Sequence, residues 1–543
     1  MGNNISYQKK SVVLDLGSKG SVRGLQYDDK ACRFTGIPYA QPPTGERRWR
    51  KPVPLPESYV YGTTSEPFDA TDFGAVCPQK SFQLAEAAGR GGRFSEDCLF
   101  VNIWTPVPRD DASQRKPWPV MLWMHGGWFQ MGDPSHEPVM DSVELISTGK
   151  LNAVVVAIGY RLNIFGFLAA EALREESNGA SAGNFGLWDQ RLGAQWVQDN
   201  IAAFGGDPTN VTLAGRSAGS FSSQVHMLHD LRDASRLYNQ EPLLYRRVFM
   251  DSNSMPSQPK TVAESQEQFD EVCDYFKIDS GLQSSRKLEI LRSKTAEELS
   301  SMIPTLKNHF FRPVTDDLFI QQGVMEYIES PEFAAAFKSK GLKLLISEVE
   351  NEETLYANFN APTEPTIESL RAMMSNYYTP EVIDRVLALP QYPLPTNGDL
   401  TSWRNHFGQI VSDGQVRAPG RCLVESLLRH GIPISDIWRC KIAYRLSFIT
   451  DKFAPLEYGV AHAADKPIWN FAIQHGPTDE ERQLMKDWIK LLAAFVQDDR
   501  DYKHGTTTPD EMVVMTADRR IEVQKDTRWQ ELLQVGRVFA GTA

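Results

Sequence analysis

Residues 211–220 read V-T-L-A-G-R-S-A-G-S, a short apolar run ending in a G-x-S-x-G pentapeptide, and few local patterns restrict a fold as strongly. Gly215 and Gly219 carry no Cβ, so the chain is free to turn abruptly from strand into helix at Ser217. Such a turn presents a serine hydroxyl in a strained, exposed position where it can act as a nucleophile. It also brings the N–H of Ala218 to a helix N-terminus, whose partial positive charge favours an oxyanion. The same small residues occur in ordinary loops, so the surroundings decide the meaning.

Upstream, residues 119–124 (P-V-M-L-W-M) read as a buried strand that runs into His125-Gly126-Gly127-Trp128-Phe129. Consecutive glycines let a backbone approach a substrate closely, and an acyl-transfer site needs several N–H donors converging on one oxygen. The pair could also be a plain turn after a core strand. The order of this loop and then a serine elbow points instead to a nucleophilic hydrolase. Between them, Trp188, Leu192, Trp196 and Ile201 fall near helical spacing, and Gly205-Gly206-Asp207-Pro208 predicts the end of that helix before a strand over 211–214.

These segments resemble the type-B carboxylesterase family, the α/β-hydrolase group that includes cholinesterases and some lipases. The resemblance spans nearly the whole chain. It is carried by F-T-G-I-P-Y-A-Q-P-P-T-G-E-R-R-W from Phe34, S-E-D-C-L-F-V-N-I-W from Ser95, Y-R-L-N-I-F-G-F from Tyr160 and G-N-F-G-L-W-D-Q-R-L-G-A-Q-W-V-Q-D-N-I-A-A-F-G-G-D-P from Gly183. It implies an α/β-hydrolase fold: a large central, mostly parallel sheet flanked by helices. No linker, repeat or low-complexity tract divides the 543 residues, so 1–543 reads as one domain, with 250–460 including lid and gorge-wall insertions.

The resemblance also implies a Ser-Glu-His triad. Ser217 is the nucleophile. In E-V-E-N-E-E, Glu352 falls on the family's acid, with Asn351 in place of Asp and Glu353 in place of Gly; Glu350 and Glu353 remain alternatives. Y-G-V-A-H-A-A-D from Tyr458 matches the family's G-x-x-H-G-x-E, which makes His462 the base, with Ala463 standing for Gly and Asp465 for Glu. His475 and His504, each followed by Gly, sit in polar contexts that suggest exposed loops. Gly127, Trp128 and Ala218 would supply the oxyanion-hole N–H groups, with the Trp128 indole reshaping the substrate pocket. Arg216 replaces the family's usual Glu; it is expected either to be offset by an acid elsewhere or to draw anionic substrates.

The formal charge of −12 without a cationic cluster argues against a nucleic-acid partner. No apolar run reaches the roughly 20 residues of a membrane span; 153–158 reads as a core strand. The first ten residues lack a signal-peptide core, which leads to an expectation of cytoplasmic residence, and they match an N-myristoylation pattern at Gly2. No metal or other cofactor is expected, and His226 and His229 follow from the helix after the nucleophile rather than from a zinc site. Secreted relatives bridge the positions of Cys77 and Cys98; in a reducing compartment both would stay thiols. No Trp lies between those cysteines to bind a quaternary ammonium, which disfavours cholinesterase activity. The partner expected is a small-molecule ester; the oligomeric state stays open, a homodimer included. Hydrolysis is the first reading, with acyl transfer or cyclisation on the same triad, and an inactive esterase-like binding protein, as alternatives.

Overall fold

The computed structural model describes residues 5–79, 94–107, 116–134, 140–233, 243–396, 398–451 and 454–543; the pattern at Gly2 lies outside the described residues. Among these, thirteen strands form one sheet. Along its edge run β1 (Lys9–Asp15), β2 (Ser21–Tyr27), β3 (Ala31–Pro38) and β5 (Phe100–Pro106), with the two-residue β4 (Phe68–Asp69) beside β2. The order continues through β7 (Val154–Ile158), β6 (Trp118–Met124), β8 (Gly206–Arg216), β9 (Arg247–Asp251), β10 (Lys343–Val349), β11 (Ile437–Ile442), β12 (Glu511–Met515) and β13 (Ile521–Lys525). From β7 to β12 every neighbour pair is parallel, whereas β1–β2, β2–β3, β3–β5, β5–β7 and β12–β13 are antiparallel. The sheet is thus parallel at its centre and mixed overall.

The parallel centre is covered on both faces, and the strands show it by being apolar on both sides. In β6, Val120, Leu122 and Met124 belong to one core, and Met121 and Trp123 to the other. β7 alternates in the same way, Val154, Val156 and Ile158 against Val155 and Ala157. The helices Phe185–Asn200 and Ala218–Arg232 cover the first face through Leu187, Trp196, Val225 and Leu228. The helix Asp479–Gln497 covers the second through Met485, Trp488, Ile489 and Leu492. A third cluster, with Tyr356, Trp403, Phe407 and Phe539, joins the segments after β10 to the C-terminal helix Trp529–Ala540. Residues 250–460 contribute β10 and β11 to the sheet as well as the helices that surround its carboxyl edge.

Two boundaries differ from the sequence reading. The helix Phe185–Asn200 closes in a 3-10 turn to Phe204 and a left-handed Gly205 at φ 82°. Gly206 then already belongs to β8, opposite Trp118, instead of to a turn. The apolar run K-L-L-I, which reads as a strand over 343–346, likewise continues three residues further as β10, to Val349, which carries the acidic segment to the sheet's carboxyl edge.

The elbow after β8 is held by absent side-chain atoms. A Cβ on Gly219 would lie 2.0 Å from the Met124 carbonyl oxygen, and one on Gly215 would lie 2.3 Å from the Gly219 carbonyl oxygen. Strand end, turn and helix start therefore close on each other only where glycine stands. Gly219→Ala is expected to cost more than about 3 kcal/mol of stability. Gly398→Ala, where no heavy atom lies within 4 Å, is expected to change stability by less than about 0.5 kcal/mol; urea denaturation of both variants checks the contrast.

Candidate functional site

Parallel strands leave their ligands and reacting groups at the carboxyl edge of the sheet, and the sequence-predicted residues converge there. Ser217 follows β8 at φ 55° and ψ −123° and opens the helix Ala218–Arg232. That conformation is sparsely populated for any non-glycine residue and costs of order 1–3 kcal/mol. It is fixed in part by the Ser217 N–H donating to the Asp251 carbonyl at 2.7 Å. His462 Nε2 lies 2.9 Å from Ser217 Oγ, and its Nδ1 lies 2.5 Å from Glu352 Oε2. All three side chains are buried, Glu352 completely.

The structure separates the three acids that the sequence left open. Glu352 heads the helix Glu352–Asn358, and its other oxygen accepts from the Val349 N–H at 2.9 Å. Glu350 turns outward to Lys441, and Glu353 pairs with Arg417 at 2.6 Å. His475 and His504 lie on other segments; His504 is partnered by Thr506 and packs on Trp438. His226 and His229 are tied to Gln190 and to the Phe319 carbonyl respectively.

Asn351, at the position of the family's Asp, joins the acid loop to the base loop. Its side-chain oxygen accepts from the Val460 N–H at 3.1 Å, and its own N–H donates to the Val460 carbonyl at 3.0 Å. A Cβ on Gly459, at φ 59°, would lie 2.2 Å from that side-chain oxygen, so the glycine admits the staple. Nothing in the sequence pattern marked this role. Thr354 adds a bond from its hydroxyl to the Tyr458 carbonyl at 2.9 Å.

The loop after β6 packs directly on the elbow. A Cβ on Gly126 would lie 2.6 Å from the Arg216 carbonyl oxygen and 2.9 Å from Ser217 Cβ. Gly127, Trp128 and Phe129 then run at φ 118°, 55° and 66°, three successive residues at positive φ. Among the described residues, no carbonyl or side-chain oxygen accepts the N–H of Gly127 or Ala218. The Trp128 indole is buried and meets Tyr356 edge-on at 6.4 Å, and Tyr356 in turn lies 5.3 Å from the His462 ring.

Beneath the triad lies an acid pair of which the sequence reading singled out only one member. The Asp251 side chain accepts from the Ser347 hydroxyl at 2.6 Å, and Asp465 accepts from the Trp469 indole at 3.0 Å. The remaining oxygens, Asp251 Oδ2 and Asp465 Oδ1, are buried and accept no hydrogen bond among the described residues. Burial, and then the neighbouring Asp465, push Asp251 well above the ordinary carboxylate range, and burial raises Asp465. Arg216 is buried, and among the described residues its side chain makes no hydrogen bond or ion pair. Its field nonetheless stabilises the charged forms of both Asp251 and Asp465. These are the acids that offset it.

Cys77 and Cys98 are neighbouring buried thiols, unbridged, and all six cysteines are free. The hydrogen bond from Cys77 and then burial push the Cys98 thiol well above its usual value.

Known proteins resemble this chain along its length. The model of the carboxylesterase family matches residues 8–535. An uncharacterized esterase/lipase of Schizosaccharomyces pombe is 37% identical over 546 residues, covering 98% of this chain and 97% of the relative. A carboxylic ester hydrolase of Gibberella moniliformis is 33% identical over 542 residues, covering 97% and 96%. Among solved structures, a thermophilic PNB esterase superposes with a TM-score of 0.75 at 24% identity, covering 96% of this chain and 99% of that one.

Ala463 sits at φ 73° where the family pattern has glycine. A side chain in that region is strained. Ala463→Gly is accordingly expected to raise stability by about 0.5–1 kcal/mol, read as a higher urea midpoint at unchanged slope.

Proposed function

The chain belongs to the carboxylesterase family and is a carboxylic-ester hydrolase, and from that premise we propose that it works through an acyl-enzyme on Ser217, with His462 as base and Glu352 as the orienting acid. The observation that carries this reading is the buried chain of contacts Glu352–His462–Ser217, with the imidazole Nδ1 toward the carboxylate and Nε2 toward the hydroxyl. In that arrangement Nε2 accepts the Ser217 proton as Oγ attacks the ester carbonyl. Glu352 holds the ring in the tautomer that leaves Nε2 free, and it stabilises the imidazolium that forms. The carbonyl oxygen becomes an oxyanion facing the N–H groups of Gly127, Trp128 and Ala218, in a site where fixed dipoles need no reorganisation. The imidazolium then gives its proton to the departing alcohol. In the second half, water loses a proton to His462 and attacks the acyl carbonyl, and Ser217 leaves with the proton returned.

The buried Trp128 indole narrows the space beside the oxyanion hole, which favours slender groups on that side of the ester.

Ser217→Ala is expected to lower kcat by roughly 10⁴-fold or more and to abolish labelling by a fluorophosphonate; full labelling of the variant would show that another residue is the nucleophile. Comparing Gln replacements at Glu350, Glu352 and Glu353 by kcat/KM on one nitrophenyl ester checks the acid. A loss of roughly 10³-fold or more is expected at Glu352 alone, and equal, mild losses at all three would remove it from the mechanism.

A further inference from the structure

The buried arginines of this protein are, with few exceptions, matched to carboxylates. Arg161 forks onto Asp189, Arg417 meets Glu353 and Asp413, and Arg421 meets Glu348 and Asp526. The half-buried Arg312 is different. Among the described residues it makes no ion pair. Its one side-chain hydrogen bond goes from Nη2 to the neutral Gln415 at 3.1 Å. Its guanidinium lies over the rings of Tyr377, Phe129 and Phe221, at 5.3, 5.8 and 6.0 Å from their centres. Burial lowers its proton affinity, and the groups that act against that are the hydroxyls of Tyr377, Tyr378 and Tyr356, with no carboxylate among them. An arginine keeps its charge throughout, so this is a fixed cation sheltered from water on three sides by aromatic faces.

The same cation lines a cavity of about 60 Å³ together with Phe221, Lys260, Asn376, Tyr377 and one carboxylate, Glu264, whose oxygen accepts from the Thr261 N–H and hydroxyl. That room is several times what one buried water needs and suits a small charged group better than a chain. Lys260 brings a second cation; its Nζ donates to the Ser375 carbonyl at 2.9 Å, and the fields of Glu264 and Glu267 act on it. The cavity borders the loop after β6, since its lining residues Phe310 and Tyr377 belong to the same apolar cluster as Trp128. Phe221 lies one turn past Ser217, and its N–H donates to the Ser217 carbonyl at 3.0 Å; one turn advances a helix by about 6 Å. On the other side, Gln130 ties the oxyanion loop to Phe311, donating to its carbonyl at 2.7 Å and accepting its N–H at 3.1 Å.

We propose that this cavity receives a free carboxylate carried by the ester substrate itself, with Arg312 as its docking cation, so that the enzyme prefers anionic esters whose charge lies several bonds from the scissile carbonyl. A planar guanidinium matches a carboxylate with two parallel hydrogen bonds, stronger than their neutral counterparts. The proposal rests on ester hydrolysis at Ser217 but is tested separately from it.

The test compares mono-4-nitrophenyl esters of adipic and suberic acid with their terminal carboxamide isosteres, and 4-acetoxybenzoate with 4-acetoxybenzamide. For at least one pair the wild type is expected to favour the carboxylate by about tenfold or more in kcat/KM, with the preference shrinking as salt rises. Preference within the diacid pairs places the carboxylate on the acyl side, and preference within the benzoate pair places it on the alcohol side; either supports the assignment. In Arg312→Gln the ratio is expected to fall to about one. Ratios near one in the wild type for every pair, or a ratio that survives Arg312→Gln, would overturn it. Should Arg312→Gln not fold, inhibition of wild-type turnover on 4-nitrophenyl acetate decides: adipic monoamide is expected to compete and adipamide not, and equal inhibition overturns the proposal. Ser217→Ala runs in parallel. Turnover surviving in that variant would refute the nucleophile while leaving the wild-type ratios to judge Arg312.

Discussion

The catalytic edge of this protein depends on a backbone crossing with no room for side chains. β6, β8 and the helix that starts at Ala218 meet at Gly126, Gly215 and Gly219, and each of these positions has a backbone or Ser217 atom where a Cβ would stand. That approach brings the loop after β6 up to the serine and aims Ser217 out of its strand. A side chain at any of the three would separate parts that function only in contact. The strain at Ser217 is held by its N–H bond to Asp251 and by two strands packed on both faces, so rigidity in the sheet sustains an unfavourable conformation at its rim.

Charge is distributed on the same principle of close pairing. The site concentrates Glu352, Asp251 and Asp465 below one imidazole, an arrangement that would repel itself if all three were ionised. The structure eases it by burying Asp251 and Asp465, which raises both above the ordinary carboxylate range, and by placing Arg216 within their field. Arg216, beside Ser217, is therefore balanced by the buried acids at 251 and 465, and the three are understood together.

Much of the local structure was legible because it follows from periodicity and glycine placement. The elbow, the strands read at 119–124, 153–158 and 343–346, and the helix before β8 each declare themselves within about ten residues of sequence, to within a few residues at their ends. Ser217 and His462 could be named from motifs. The choice of Glu352 among three neighbours could not be made from residues alone, because it depends on which way each side chain leaves one helical turn. Asp251 and Asn351 were beyond reach for a related reason: their roles consist of contacts with Asp465 and Val460, more than 100 residues away, and no local pattern encodes a distant partner. The antiparallel flank of the sheet was likewise unread, since strand direction is a property of connections. Arg312 looked like any other polar residue until its surroundings revealed that it lacks a carboxylate.

The spacing of the reacting groups along the chain also bears on how the enzyme comes into being. Ser217 and His462 are 245 residues apart, and Glu352 and His462 are 110 apart. At ordinary rates of synthesis the elbow leaves the ribosome roughly 10 to 50 s before the histidine that activates it. During that interval β6, β7 and β8 are already available to pair, yet the positions beside β9 and β10 wait for later segments. The elbow sequence thus emerges before Asp251, which holds the Ser217 turn in the folded protein, and long before His462, so on the proposed mechanism esterase competence waits for the loop that follows β11.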